Sequence, residues 1–164
     1  MKVTIYVILF WSFVVSSCAA IIQKDAKEKQ DVISIDVNDK YERGEQIDIT
    51  VANATENDTI YIYEPQQIRM EKLEGEKWRK VRIRYCPCGA SCPQPPEKQL
   101  LMPGNEFFIQ WDQIEEWCGE KNEKGVPETH TAEAEKGLYR ITIIYYKPDR
   151  NQAYKIVEEF EIVD

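Results

Sequence analysis

Short runs of alternating apolar and polar residues recur along residues 31–164, and they restrict the fold more than any other feature of the sequence. In residues 31–37 the apolar side chains are Ile33, Ile35 and Val37, which a β-strand places on one face. Residues 138–146 give the clearest example, with Tyr139 and Ile141 among the residues at every second position. Apart from residues 111–117, no stretch approaches a helical period of about 3.6 residues, and the pattern therefore predicts an all-β fold.

Turn residues separate these runs and set the number of strands. We predict about eight or nine short strands, arranged as an antiparallel β-sandwich of the immunoglobulin-like class and stapled by disulfides. The predicted strands cover residues 31–37, 46–51, 59–63, 68–73, 78–85, 100–103, 107–111, 138–146 and 156–163. Residues 115–136 are polar and weakly patterned, so they are predicted to form a long solvated loop.

The N-terminus has the pattern of an export signal. Lys2 is followed by an apolar run over residues 3–15, which is too short for a membrane span of about 20 residues. The next residues, Ser16, Ser17 and Cys18, together with Val15 resemble the lipobox of bacterial lipoproteins. The resemblance implies cleavage before Cys18, attachment of acyl chains to this cysteine, and a firm membrane anchor. An ordinary secretory leader and an uncleaved anchor are the alternatives.

The chain is accordingly divided into three parts. Residues 1–17 are predicted to be the signal peptide, residues 18–30 a lipidated polar tether, and residues 31–164 the sandwich domain. The protein is expected in the cell envelope, lipid-anchored on the non-cytoplasmic side. Ala19 follows the lipidated cysteine, which in Gram-negative lipoproteins implies sorting to the outer membrane.

Four cysteines remain in the mature part: Cys86, Cys88, Cys92 and Cys118. In an oxidising compartment they are expected to form two disulfides, and a bond between Cys86 and Cys88 is disfavoured by geometry. Two pairings stay open: Cys88 with Cys92 and Cys86 with Cys118, or Cys86 with Cys92 and Cys88 with Cys118. The alternative is a thiolate metal site, but the spacing is not that of a zinc ribbon and export favours oxidation. We expect no metal and no cofactor.

The net charge and the histidine content exclude several classes of function. The net charge is −8, and an acidic protein is poorly suited to binding nucleic acid or anionic headgroups. His130 is the single histidine, which removes most catalytic triads and histidine-based acid–base schemes. His130 itself is expected to be exposed. We therefore predict that the protein is not an enzyme.

Several short motifs occur in an order that resembles the immunoglobulin-like domains of uncharacterised bacterial lipoproteins. More distantly, they are similar to the domain of a Bacillus intracellular proteinase inhibitor. The motifs are Gly44-Glu45, Asn53-Ala54-Thr55, Lys77-Trp78, Leu101-Met102-Pro103-Gly104 and Gly137-Leu138-Tyr139-Arg140-Ile141. The resemblance implies a sandwich fold over residues 31–164. It also implies a tyrosine corner at Tyr139, in which the hydroxyl bonds to nearby backbone.

The function predicted from these features is a membrane-anchored, non-enzymatic binding or envelope-structural module. Its partner is expected to be a protein or another envelope component. Trp117 and the loop prolines Pro93, Pro95 and Pro96 are the candidate contact residues. The alternatives are an inhibitor of an extracellular or periplasmic protease that presents the cysteine-stapled loop, and a thiolate metal-binding protein.

Overall fold

The computed structural model describes residues 33–64, 68–92, 97–148 and 150–164. The predictions on the leader, on Cys18 and on the tether lie outside the described residues, as do Pro93, Pro95 and Pro96. Within the part of the chain that the structure describes, there is no helix with the length and apolar character needed to cross a bilayer.

The described residues form twelve β-strands, and the all-β prediction is confirmed. The strands are β1 (Ile33–Asp36), β2 (Lys40–Glu42), β3 (Ile47–Asn53), β4 (Ile60–Glu64), β5 (Ile68–Glu74), β6 (Lys77–Lys80), β7 (Glu97–Leu101), β8 (Glu106–Trp111), β9 (Ile114–Lys121), β10 (Pro127–Glu133), β11 (Gly137–Lys147) and β12 (Arg150–Val163). Short strands separated by tight turns agree with the spacing of turn residues in the sequence.

The strands form two main sheets and a separate pair. The first sheet has the order β1-β3-β8 and is antiparallel throughout. In the second sheet β2, β12 and β11 lie side by side, and β11 is followed by β4 and β7 at one end and by β5 and β6 at the other. Only the β2–β12 pairing in this sheet is parallel. The remaining strands, β9 and β10, pair with each other alone. This strand order is compatible with the predicted immunoglobulin-like class.

One hydrophobic core lies between the two main sheets. Strand β3 contributes Ile47, Ile49 and Val51, which alternate with more exposed residues as the sequence predicts. Strand β11 contributes Tyr139, Ile141 and Ile143 from the facing sheet, and all six side chains belong to one buried cluster. Trp111 belongs to the same buried cluster, and Tyr145 packs against it.

The predicted tyrosine corner is present at the start of β11. The Tyr139 hydroxyl donates a hydrogen bond to the backbone carbonyl of Glu135 at 2.5 Å. The ring lies between Phe160 and Trp111, with centroid distances of 5.6 Å and 5.7 Å. Burial raises the pKa of this hydroxyl, which therefore stays protonated and remains a donor. The contact fixes the turn that leads from β10 into the central strand of the second sheet.

The prediction of a long loop at residues 115–136 is wrong. These residues form most of β9 and β10, which pair from Ile114 and Glu133 to Lys121 and Pro127. Strand β10 has no buried side chain, so its sequence lacks the apolar alternation from which a strand is recognised. The predicted strand at residues 78–85 is also shorter than expected, because β6 ends at Lys80.

Candidate functional site

The two strands β9 and β10 and the turn between them form an arm, residues 114–133, that is mostly polar. The turn is ordered by Asn122, whose side-chain oxygen accepts hydrogen bonds from the backbone N–H of Lys124 at 3.0 Å and of Val126 at 3.1 Å. Val126 is 48% exposed at this tip. Since the arm buries few apolar side chains, its order must come from other interactions.

The cysteines supply the first of these interactions. Cys86 pairs with Cys92 and Cys88 pairs with Cys118, at Cα separations of 5.1 Å and 5.5 Å. Of the two pairings left open by the sequence, the structure has this one, and both separations suit a disulfide. The pair Cys88–Cys118 joins the cysteine loop, residues 86–92, to the middle of β9.

The cysteine loop also packs directly on the arm. A Cβ atom placed on Gly89 would lie 2.8 Å from Cδ of Pro127, which is closer than real Cβ contacts. The Thr129 hydroxyl lies 3.5 Å from the Cys88 sulfur. The loop and the arm therefore form one unit, and a side chain at position 89 would separate them.

The second interaction is a buried carboxylate at the base of the arm. Glu115 is only 4% exposed, although its position in a polar segment predicted a solvated side chain. Arg79 binds both of its oxygens, at 2.8 Å and 3.1 Å, and Arg82 donates from Nε at 2.9 Å. Bidentate arginine–carboxylate pairs are among the strongest hydrogen-bonded contacts in proteins.

The electrostatics of Glu115 follow from this environment. Burial alone raises the pKa of a carboxyl group, but the hydrogen bonds from Arg79 and Arg82 outweigh it and hold the pKa of Glu115 at about 2. The same contact raises the pKa of Arg79, which also pairs with Glu74. Glu115 is therefore ionised at every physiological pH and joins β9 to the end of β6.

The start of β9 is fixed to the sandwich by Gln113. This residue has a φ of 59°, which is uncommon for a residue other than glycine. Its buried side chain donates to the carbonyls of Glu42 and Glu45 at 2.8 Å each and accepts from the N–H of Gly44 at 2.9 Å. These three hydrogen bonds offset the energetic cost of the unusual backbone conformation at Gln113. They also set the direction in which the arm leaves the core.

A cation–aromatic stack covers one face of the arm. Cζ of Arg82 lies 3.6 Å from the centroid of the Trp117 ring, and the ring of His130 stacks on Trp117 at 5.7 Å. Glu116 on β9 donates its N–H to the Arg82 carbonyl, while β10 pairs on the other side of β9. Trp117 therefore contacts one residue from each of the two chain segments that flank β9, Arg82 and His130.

The structure brings together some predicted residues and adds others. Trp117 and all four cysteines lie on one unit, and His130 is exposed as expected, although it also stacks on Trp117. Asp112, just before the arm, accepts a hydrogen bond from the Ile114 N–H at 3.1 Å, whereas Glu115 binds arginines.

The arginine contacts were missed by the sequence analysis. Their only local signal is the alternation in residues 80–84, where buried Val81 and partly buried Ile83 separate the basic residues. Among the described residues, no group of three or more His, Cys, Asp or Glu side chains is arranged to hold a metal ion.

Comparison with known proteins gives no functional assignment. No protein-family model matches the chain, and no curated protein is significantly similar to it.

Proposed function

We propose that this chain is an exported, lipid-anchored, non-enzymatic binding module and that the arm is its contact surface. The sandwich acts as the scaffold, and acyl chains on Cys18 hold it at the membrane. The partner is a protein or another component of the cell envelope. Loops and hairpins on a rigid scaffold are the usual place for recognition.

The observation that carries this proposal is the way the arm is held. A polar two-stranded ribbon is marginal in water without a hydrophobic face or a packed partner. The arm nevertheless has a disulfide to the cysteine loop, a doubly bound Glu115 and the glutamine anchor at Gln113. None of these contacts adds to the hydrophobic core between the main sheets. These contacts restrict the conformations of an exposed polar surface. A surface that is already ordered loses little conformational entropy when a partner binds.

Photo-crosslinking in the native envelope tests the position of the contact surface. A photoreactive amino acid replaces Val126 at the tip of the arm in one chain and Val157 on β12 in a control chain. Both valines are exposed, to 48% and 37% respectively, so the two probes have similar access to solvent. We expect a discrete crosslinked product from position 126 and none from position 157.

Different results of this experiment would contradict the contact surface, the binding function or the lipid anchor. A product from position 157 alone, or equal products from both positions, contradicts the arm as contact surface. Absence of any product from position 126 in cells that display the protein contradicts the binding function itself. Display is checked by metabolic labelling with a palmitate analogue, which we expect to be lost in Cys18→Ser. Retention of the label in that variant would contradict the lipid anchor.

A further inference from the structure

Arg82 has more hydrogen-bond donors than its contacts within the described chain use. Its Nε donates to Glu115 at 2.9 Å, and its Cζ lies 3.6 Å from the Trp117 ring centroid. Among the described residues, neither of its two Nη groups has a hydrogen-bond partner. The side chain is 45% exposed, so these Nη groups are accessible to an incoming acceptor.

The contacts of Arg82 hold its guanidinium in place before any ligand arrives. Glu115 holds the Nε edge from the buried side, and the Trp117 ring packs against Cζ of the group. A guanidinium presents its donors in a flat fork that matches the two oxygens of a carboxylate. Since the orientation is already set, binding an oxyanion here would restrict few additional rotamers.

One groove beside Arg82 has more cations than carboxylates in its lining, whereas a neighbouring groove that Lys80 and Arg82 also line contains Glu74, Glu115, Glu133 and Glu135. The first groove has a volume of about 320 Å³ and is lined by Lys80, Val81, Arg82, Ile83, Arg84, Glu116 and Trp117. Its one carboxylate, Glu116, is paired with Arg84 at 3.1 Å. Lys80 and Arg82 are two residues apart in an extended segment and share a face, and Lys80 has no ion-pair partner among the described residues.

We propose that Arg82, supported by Lys80, receives a carboxylate of an acidic peptide segment on the partner of the arm. This inference rests on the proposed binding function. Lys80 and the Nη groups of Arg82 lie beside the partly buried side chains of Trp117 and Ile83, which suits a peptide that carries both an acidic side chain and apolar contacts. The net charge of −8 disfavours polyanions much longer than the groove, such as polyphosphate, because the rest of the surface would repel the part that extends beyond it.

Binding of a defined acidic peptide tests the proposal. Fluorescein-labelled hexaglutamate is titrated against the detergent-solubilised full chain, with hexaglutamine and polyphosphate as separate probes. We expect hexaglutamate to bind with a salt-sensitive affinity, hexaglutamine not to bind, and polyphosphate to bind more weakly than hexaglutamate. Arg82→Lys keeps the charge but loses the fork, and it is expected to weaken hexaglutamate binding about tenfold.

Two further variants separate a direct contact from a folding defect. Lys80→Gln removes a cation whose ammonium group forms no ion pair within the described part of the chain, and a loss of about threefold is expected. Lys155→Gln removes an exposed cation from β12 and should change the affinity less than about twofold. Equal affinities in wild type, Arg82→Lys and Lys80→Gln, no hexaglutamate binding by wild type, or stronger binding of polyphosphate would each overturn the proposal.

The crosslinking assay distinguishes failure of this inference from failure of the binding function. Arg82→Lys is combined with the photoreactive residue at position 126. A product that appears in wild type and falls about tenfold in the variant supports both statements. A product of unchanged yield keeps the arm as the contact surface and overturns the role of Arg82. Loss of the product in wild type overturns the function on which the inference rests.

Discussion

The sandwich is held together by apolar side chains from two facing sheets, whereas the arm is held by one disulfide, ion pairs and hydrogen bonds. Ile47 and Ile141 are fully buried between the main sheets. No side chain of β10 is buried, and the contacts of the arm involve cysteines, Glu115 and Gln113. The sandwich therefore draws on the hydrophobic effect, and the arm depends on specific polar and covalent contacts. A surface held in this second way keeps its polar groups available to a partner.

The largest expected effect comes from the sandwich. Ile141→Ala removes a fully buried side chain from the central strand β11, and we expect the free energy of unfolding to fall by about 4 kcal/mol. Urea unfolding measures the change. Val157→Ala on the outer surface of the second sheet is the control and should change the stability by less than about 0.5 kcal/mol. Equal losses in the two variants would remove the distinction between core and surface.

Glu115→Gln tests how much the buried carboxylate contributes to the stability of the arm. The substitution keeps the size of the side chain but leaves Arg79 and Arg82 without their buried carboxylate. We expect the free energy of local opening of the arm to fall by about 3 kcal/mol, measured by hydrogen exchange of β9 amides. The matched control is Glu116→Gln, which removes a half-exposed pair with Arg84 and should change it by less than about 1 kcal/mol. Similar effects from both variants would contradict the special position of Glu115.

Acid should weaken the arm before it weakens the core. The pKa of Glu115 is lowered from its ordinary value of 4.5 to about 2 in the folded chain. Its stabilising effect is therefore complete above pH 4.5 and is lost as the pH falls toward 2. The difference in arm stability between wild type and Glu115→Gln should shrink by about 2 kcal/mol over this range. Hydrogen exchange, corrected for the intrinsic effect of pH on exchange rates, measures this difference. A difference that does not depend on pH would contradict the lowered pKa of Glu115.

The smallest expected effect concerns the stack on the arm. A Cβ atom on Gly119 would lie 2.0 Å from Nε2 of His130, so Gly119→Ala must move the exposed imidazole away from Trp117. The stability should change by less than about 1 kcal/mol, since a flexible side chain can relocate. The His130 ring protons should lose the chemical shift that the neighbouring indole causes. Unchanged shifts in this variant would contradict the stacked arrangement, and Glu120→Ala serves as the control.

The same contrast explains how much could be predicted from the sequence. Strands such as β3 and β11 were predicted because the core selects an apolar residue at every second position. The tyrosine corner was predicted from the position of Tyr139 in a known kind of motif and is confirmed by its bond to Glu135. These features depend on local pattern or on residues close in the chain.

The arm could not be predicted in this way. Strand β10 is defined by its pairing with β9 and by contacts with the cysteine loop, and neither leaves an alternating apolar pattern. The contact between Arg79 and Glu115 joins residues that are 36 positions apart. The sequence limited the cysteine pairings to two, but the choice between them depends on which strand faces the loop.

Hydrogen exchange before and after reduction tests the central claim that the arm depends on its disulfide and the sandwich on its hydrophobic core. Residues 114–133 are compared with β11 and β12 in the oxidised and the reduced chain. Reduction of Cys88–Cys118 should lower the protection of amides in the arm by more than about tenfold, while the amides of β11 and β12 keep theirs. An arm that stays protected after reduction, or a sandwich that loses protection to the same extent, would contradict this account.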